Sequence, residues 1–322
     1  MKNSIAILSF LMFTTAVCGQ NFKALVSKAD SFYNAKNYPK SVEFFKEAFS
    51  ETFKADQKKA SPFYDAACAA ALAGDNKLAL EWLNTAIDKG WTNISHTKTD
   101  TDLTSLHDLK EWQATLDKLQ KKLDVLEANY DKPLKAELLT ILEEDQKYRQ
   151  QLGPLEKKHG WDSKEMKDFW IIINAADSVN LIKIKAILDK NGWVGADKVG
   201  NEASNALFLV IQHSDLPTQQ KYLPMMREAV KNKKASGGNL ALLEDRVALG
   251  EGRKQIYGSQ LRGDGKGGYF LSPLEDPDNV DKRREEVGLP PIAEYIQRWN
   301  LVWNVEEFKK ESAQREAQNK KN

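Results

Sequence analysis
Residues 24–90 repeat themselves. Sliding the chain by 38 positions lays Ala29 on Ala67, Ser41 on Ala79, Phe45 on Leu83 and Ala48 on Ala86. Small and bulky residues therefore recur in one order over a period that one supersecondary unit fills. Each copy carries a short polar turn at its middle, Lys36-Asn37-Tyr38 in the first and Gly74-Asp75-Asn76 in the second. Turn chemistry of that kind stops one helix and starts the next, so each copy is predicted to be a helical hairpin. Ala29, Ser41 and Ala48 suit the close approach of two helices, while Phe32, Tyr38 and Phe45 are placed to fill the space between neighbouring hairpins.

This pattern resembles the tetratricopeptide repeat, whose usual period is about 34 residues; the additional residues fit a longer link near Lys54 to Ser61. Stacked repeats need about three units to bury a continuous core, so two hairpins require a cap. Leu103, Leu106, Leu109, Trp112, Leu116, Leu119 and Leu123 recur at helical spacing and predict one or two capping helices from Asp102 to Ala128. Residues 22–128 are thus read as one repeat domain. The resemblance implies a protein or peptide partner held on the concave face.

The first twenty residues have the order of an export signal: Lys2, an apolar run from Ile5 to Val17, then Ala16, Cys18 and Gly19 as small residues for cleavage. Residues 1–19 are read as a signal peptide and the mature protein as periplasmic or extracellular. The alternative is a lipid anchor at Cys18, although Thr15 and Val17 fit a lipoprotein signal poorly. No later stretch is long and apolar enough to predict a transmembrane segment. Lys and Arg total 47 against 46 Asp and Glu, a formal charge of +1 that gathers no phosphate backbone and argues against nucleic acid. With Cys18 removed or acylated, Cys68 has no partner for a disulfide, and its setting among Ala66, Ala67, Ala69 and Ala70 reads as a small buried helix residue.

Asn129-Tyr130-Asp131-Lys132-Pro133 interrupts the helical pattern and marks a boundary, after which residues 134–305 read as a second, mostly helical α+β domain with a small β-hairpin. The fold class is therefore mainly α. Helices are predicted over Leu134 to Gln151, carrying Glu143, Glu144, Asp145 and Arg149, and over Met166 to Asn174 and Asn180 to Asp189. Ala203, Ala206, Leu207, Val210 and Ile211 form an apolar face that runs into Gln212-His213-Ser214-Asp215. Histidine and carboxylate at the end of a buried helix are costly unless bonded or useful. Asp245-Arg246 interrupts another apolar helix, Leu240 to Leu249, and reads first as a buried ion pair. Lys254 to Leu261 alternates polar and apolar residues like a strand, Gly263 to Gly268 makes the turn, and Tyr269 to Leu274 the partner strand. Gly263, Gly265 and Gly268 match a dinucleotide fingerprint only formally, because a strand follows where a helix is needed. Asp276, Asp278 and Asp281 lack the glycine and distal glutamate of a calcium loop and read as a turn before a helix at Val280. Residues 306–322, rich in Lys, Glu, Gln and Asn, are expected to fray.

Gly192-Trp193, Gln212-His213-Ser214-Asp215, Asp245-Arg246, Gln255-Ile256-Tyr257-Gly258-Ser259-Gln260 and Arg283-Arg284 through Gly288-Leu289, taken in order, resemble the signature of an uncharacterised bacterial domain family over residues 136–300. That resemblance implies a domain and carries no activity, cofactor or metal with it. Two functions remain open. In one, the protein is a binding or scaffold module that docks a partner through its repeats. In the other, it is a cell-envelope hydrolase, transferase or small-ligand protein, with His213 as acid or base, Asp215 or Asp245 orienting it, Arg246 holding an anion, and Gln255, Tyr257 and Gln260 lining the pocket. No nucleophile elbow surrounds Ser259, and the four histidines have no metal-ligand spacing. The two readings separate on whether His213, Asp245, Gln255 and Gln260 converge on one open pocket.

Overall fold
A computed structural model describes residues 21–319 except 56 and 265–266; the expected signal peptide and Cys18 lie outside the described residues. The chain divides into two compact units, residues 1–128 and 129–322. No helix among the described residues is long and apolar enough to cross a membrane.

In the N-terminal unit, residues 21–34 form α1, followed by α2 (Tyr38–Ala48), α3 (Ser61–Leu72) and α4 (Asn76–Asp88). The two turns are built alike, 38 positions apart. Lys36 and Gly74 both have left-handed backbone, at φ +58° and +84°. Asn37 and Asp75 then cap the next helix, accepting from the N–H of Lys40 and of Leu78. Helix α3 is buried almost all round because alanines at 66, 67, 69, 70 and 71 let α2 and α4 close in on it. Phe45 and Leu83, equivalent in the repeat, are both fully buried.

Of the one or two capping helices expected from Asp102 to Ala128, one α-helix forms, preceded by a 3-10 helix. After the short α5 (Ile94–Thr99), Leu103 and Leu106 enter the core from a 3-10 helix, Thr101–Leu106, and only α6 (Lys110–Leu126) continues the stripe. Their three-residue spacing fits a 3-10 turn, which Asp100 caps by accepting the Asp102 N–H at 3.0 Å.

The C-terminal unit packs α7 (Lys132–Arg149), α9 (Lys164–Asn191), α12 (Leu216–Lys231) and α13 (Gly237–Gly250) around α11 (Asn201–His213). The short helices α8 (Leu152–His159) and α10 (Ala196–Val199) connect them. Leu138, Ile184, Leu188, Leu207, Ile211 and Leu243 share that core, all with no exposed surface. Helix α9 runs unbroken through 28 residues where two helices were expected. Residues 175–179, the interval between the two expected helices, lie inside it: the Ser178 hydroxyl donates to the Asn174 carbonyl one turn back at 2.8 Å, and neither glycine nor proline intervenes. Gly192, at φ +66°, ends the helix.

A second, smaller core gathers Leu271, Leu274, Val280, Ile292 and Ile296. Around it lie the hairpin β1 (Leu261–Gly263) and β2 (Tyr269–Leu271), paired antiparallel with Leu261 opposite Leu271, and helices α14 (Val280–Glu286) and α15 (Ile292–Ile296). The strands are shorter than the alternation predicted. Residues 255–260 are a loop whose polar side chains turn inward, since Gln255 and Ser259 are buried. The segment expected to fray forms α16 (Val305–Asn319), with Phe308 against this core and Lys309 bonded to Asp278.

Candidate functional site
Only part of the expected pocket converges. His213, the last residue of α11, places Nδ1 3.0 Å from Oδ1 of Asp145 on α7. Asp145 is 1% exposed, and its other oxygen accepts from the Gln146 amide at 2.6 Å. Arg149, one turn on, donates to the Asp145 carbonyl at 2.7 Å and forks onto both oxygens of Asp177 on α9, at 2.8 and 2.6 Å. Burial by itself would raise the Asp145 carboxyl, but the hydrogen bond and charge of His213 and the charge of Arg149 outweigh it and hold the group below its ordinary range. Asp215 caps α12 by accepting the Thr218 N–H at 3.1 Å, and bonds from Thr218 lower its carboxyl as well. His213, Asp145, Asp177 and Asp215 line one cleft of about 270 Å³ with Asn174, Ser178, Leu181 and Val210.

Asp245 is elsewhere, and it does not pair with Arg246. The Asp245 carboxylate is fully buried and accepts three backbone N–H groups: Ile256 at 2.6 Å and Tyr257 at 2.9 Å on one oxygen, Ser259 at 2.9 Å on the other. Burial pushes its carboxyl up against the lowering effect of those bonds. Arg246 points the other way and donates to the Gln212 carbonyl at 2.8 Å. Among the described residues it has no carboxylate partner, and burial followed by the charge of Arg149 lowers its pKa. The expected ion pair fails because neighbouring residues on a helix face different directions.

The remaining candidates hold the same loop. Gln255 is fully buried and satisfied: its amide donates to the carbonyls of Gln260 and Ser272, at 3.0 and 2.9 Å, and its oxygen accepts the Gln260 N–H at 2.8 Å. The Gln260 side chain donates to the Ser259 hydroxyl, and the Tyr257 hydroxyl reaches Glu244 at 3.4 Å. Arginines take up the loop's carbonyls, Arg283 at Ile256 and Arg284 at Tyr257. Asp245 thus gathers the N–H groups of Ile256, Tyr257 and Ser259, and the two arginines take the carbonyls of Ile256 and Tyr257. Gly258 completes it with φ +68°, where a side chain would meet Ile292 at 2.7 Å.

A further concentration of polar groups, outside the residues singled out from sequence, lies in the N-terminal unit. A cavity of about 520 Å³ is walled by Tyr33, Phe45, Tyr64 and Trp91, with Asp30, Asp65, Asp100 and Asp102 among its lining and no lysine or arginine. Tyr64 and Trp91 stack with ring centroids 3.8 Å apart. The Tyr64 hydroxyl donates to Asp100 at 2.8 Å and the Tyr33 hydroxyl to Asp102. Partial burial, then the charges of Asp30 and Asp100, push the Asp65 carboxyl up to about 6; burial also raises Asp30. Cys68 is buried here, 3.6 Å from Asp100, with its thiol pushed up by burial and the neighbouring carboxylates. The spacing of these residues in sequence, from 30 to 102, gives no local signal; only the aromatic and acidic residues of α1, α3 and the cap, read together on one face, would have found them.

Among the described residues, two sets of side chains bring potential metal-ligating atoms within 4.8 Å of one another, Cys68 with Asp100 and Asp102, and His213 with Asp145 and Asp177. In the second set the Arg149 guanidinium already occupies both oxygens of Asp177.

No curated protein and no solved structure matches the chain. A family of unknown function, DUF6624, matches residues 132–306, which takes in every residue of both C-terminal networks. The chain belongs to that family.

Proposed function
We propose that this is an exported binding module whose N-terminal unit, a pair of tetratricopeptide-like hairpins with a cap, docks a basic segment of a partner protein. Residues 1–19 serve as the signal peptide and the mature chain works in the periplasm or outside the cell. The observation that carries the reading is the N-terminal cavity. Its carboxylates present negative charge with no lysine or arginine among the lining residues, and its stacked aromatic walls offer the ring faces that attract an ammonium or guanidinium group. The tyrosine hydroxyls fix Asp100 and Asp102 before any ligand arrives, which reduces the ordering cost of binding. The use of Asp245, Gln255, Tyr257 and Gln260 to hold loop 255–260, with Asp245 and Gln255 fully buried and none of the four lining the His213 cleft, also favours a module over an enzyme with a pocket of those residues.

The test is binding of the full chain to a peptide array in which Lys or Arg replaces neutral residues, followed by titration of the best peptide. Affinity is expected to fall as salt rises and to weaken by about 1 kcal/mol in Trp91→Leu. Equal binding of acidic and basic peptides, or unchanged affinity in Trp91→Leu and Asp30→Asn, would sink the reading.

A further inference from the structure
We infer that the cleft beside His213 is a second, separate ligand site, which takes a polyhydroxylated small molecule such as a sugar with the free face of the imidazole as proton acceptor. Nδ1 is tied to Asp145, a carboxylate that also accepts from Gln146 and lies beside Arg149. In neutral His213 the proton therefore stays on Nδ1, and the Nε2 lone pair is the one available to a ligand. The ring is fixed yet reachable: the His213 side chain is 18% exposed while its carboxylate partner is 1% exposed.

The wall chemistry selects the ligand class. Asp177 and Asp215 line the cleft already bonded, by Arg149 and by the Thr218 N–H, and keep only the remaining lone pairs of their oxygens for a ligand, while Asn174 and Ser178 add an amide and a hydroxyl. Hydroxyl groups satisfy such a surface, whereas a phosphate or carboxylate ligand meets like charge. Leu181 and Val210 supply an apolar patch for the C–H face of a ring. A divalent cation would first have to displace the two charge-assisted bonds from Arg149 to Asp177. The site is independent of the N-terminal cavity, so either can fail alone.

The experiment is nitrogen-edited NMR of the His213 ring in the full chain, titrated separately with glucose, galactose and N-acetylglucosamine. At least one sugar is expected to move the Nε2 signal saturably at millimolar concentration, and His213→Gln is expected to weaken that sugar, followed on neighbouring backbone signals, by about tenfold or more. Asp145→Asn is expected to shift the ring toward the other tautomer, which a merely structural histidine would not couple to sugar affinity. If that variant is unstable, His213→Gln, checked for native circular dichroism, carries the test alone. Failure of all three sugars to move the ring signals, or undiminished sugar binding in His213→Gln, overturns the inference. Specific broadening of those signals by Mn²⁺ with no sugar effect overturns it in favour of a cation.

Discussion
At Asp245, two oxygens receive three backbone N–H groups, and replacing one oxygen by an amide nitrogen turns a donor toward a donor. Asp245→Asn is therefore expected to lose about 1 to 3 kcal/mol of stability, measured by urea unfolding. Two other carboxylates give opposite pH signatures. Asp145 ionises more readily folded than unfolded, so its contribution is present above the ordinary value of 3.8 and is lost as pH falls below it. Asp65, raised to about 6 from 3.8, does the reverse: the folded state loses stability as pH rises through that interval. Asp65→Asn is expected to match the natural protein in melting temperature below pH 4 and to exceed it above pH 6, while binding the basic peptide more weakly. Sequence flagged His213 and Asp215 because they end an apolar helix. It could not supply Asp145, 68 positions away, since a pair of that separation is chosen by how α7 crosses α11 and leaves no periodic trace.

Elements were legible where local chemistry decides them. The 38-residue shift located both hairpin turns, and the equivalence extends to backbone conformation at Lys36 and Gly74. A lysine in the left-handed region bears a strain that glycine escapes, so Lys36→Gly is expected to stabilise the N-terminal unit by about 1 kcal/mol, and Gly74→Ala to destabilise it by a similar amount, each read from a denaturant midpoint. Elements were illegible where tertiary partners overrule a local signal. The interval 175–179 separates the two helices expected from sequence, yet it is helical and its Asp177 is held by Arg149 from α7. The alternation at 254–261 reads as a strand until a buried aspartate claims the N–H groups a neighbouring strand would need. The polar composition of α16 hides Phe308, its contribution to the second core.

At the scale of the whole chain, the fold divides after Ala128, and Asp131 and Pro133 start the first helix of the second unit. Each unit has its own buried cluster, so scanning calorimetry is expected to resolve two transitions. Phe45→Ala should lower only the first unit's transition and Leu207→Ala only the second's, each by the equivalent of about 2 to 5 kcal/mol. A shared shift in both would refute independent units. Cys68 is the only free cysteine among the described residues, and it is buried inside α3 with its thiol held protonated. Cys68 lines the cavity at only 4% exposure, so a thiol-reactive dye reacts slowly with the closed N-terminal unit and faster whenever that unit opens. Its labelling rate reports access to the cavity of the N-terminal unit within the intact chain, and slowing of that rate by a basic peptide would report occupancy without any engineered probe.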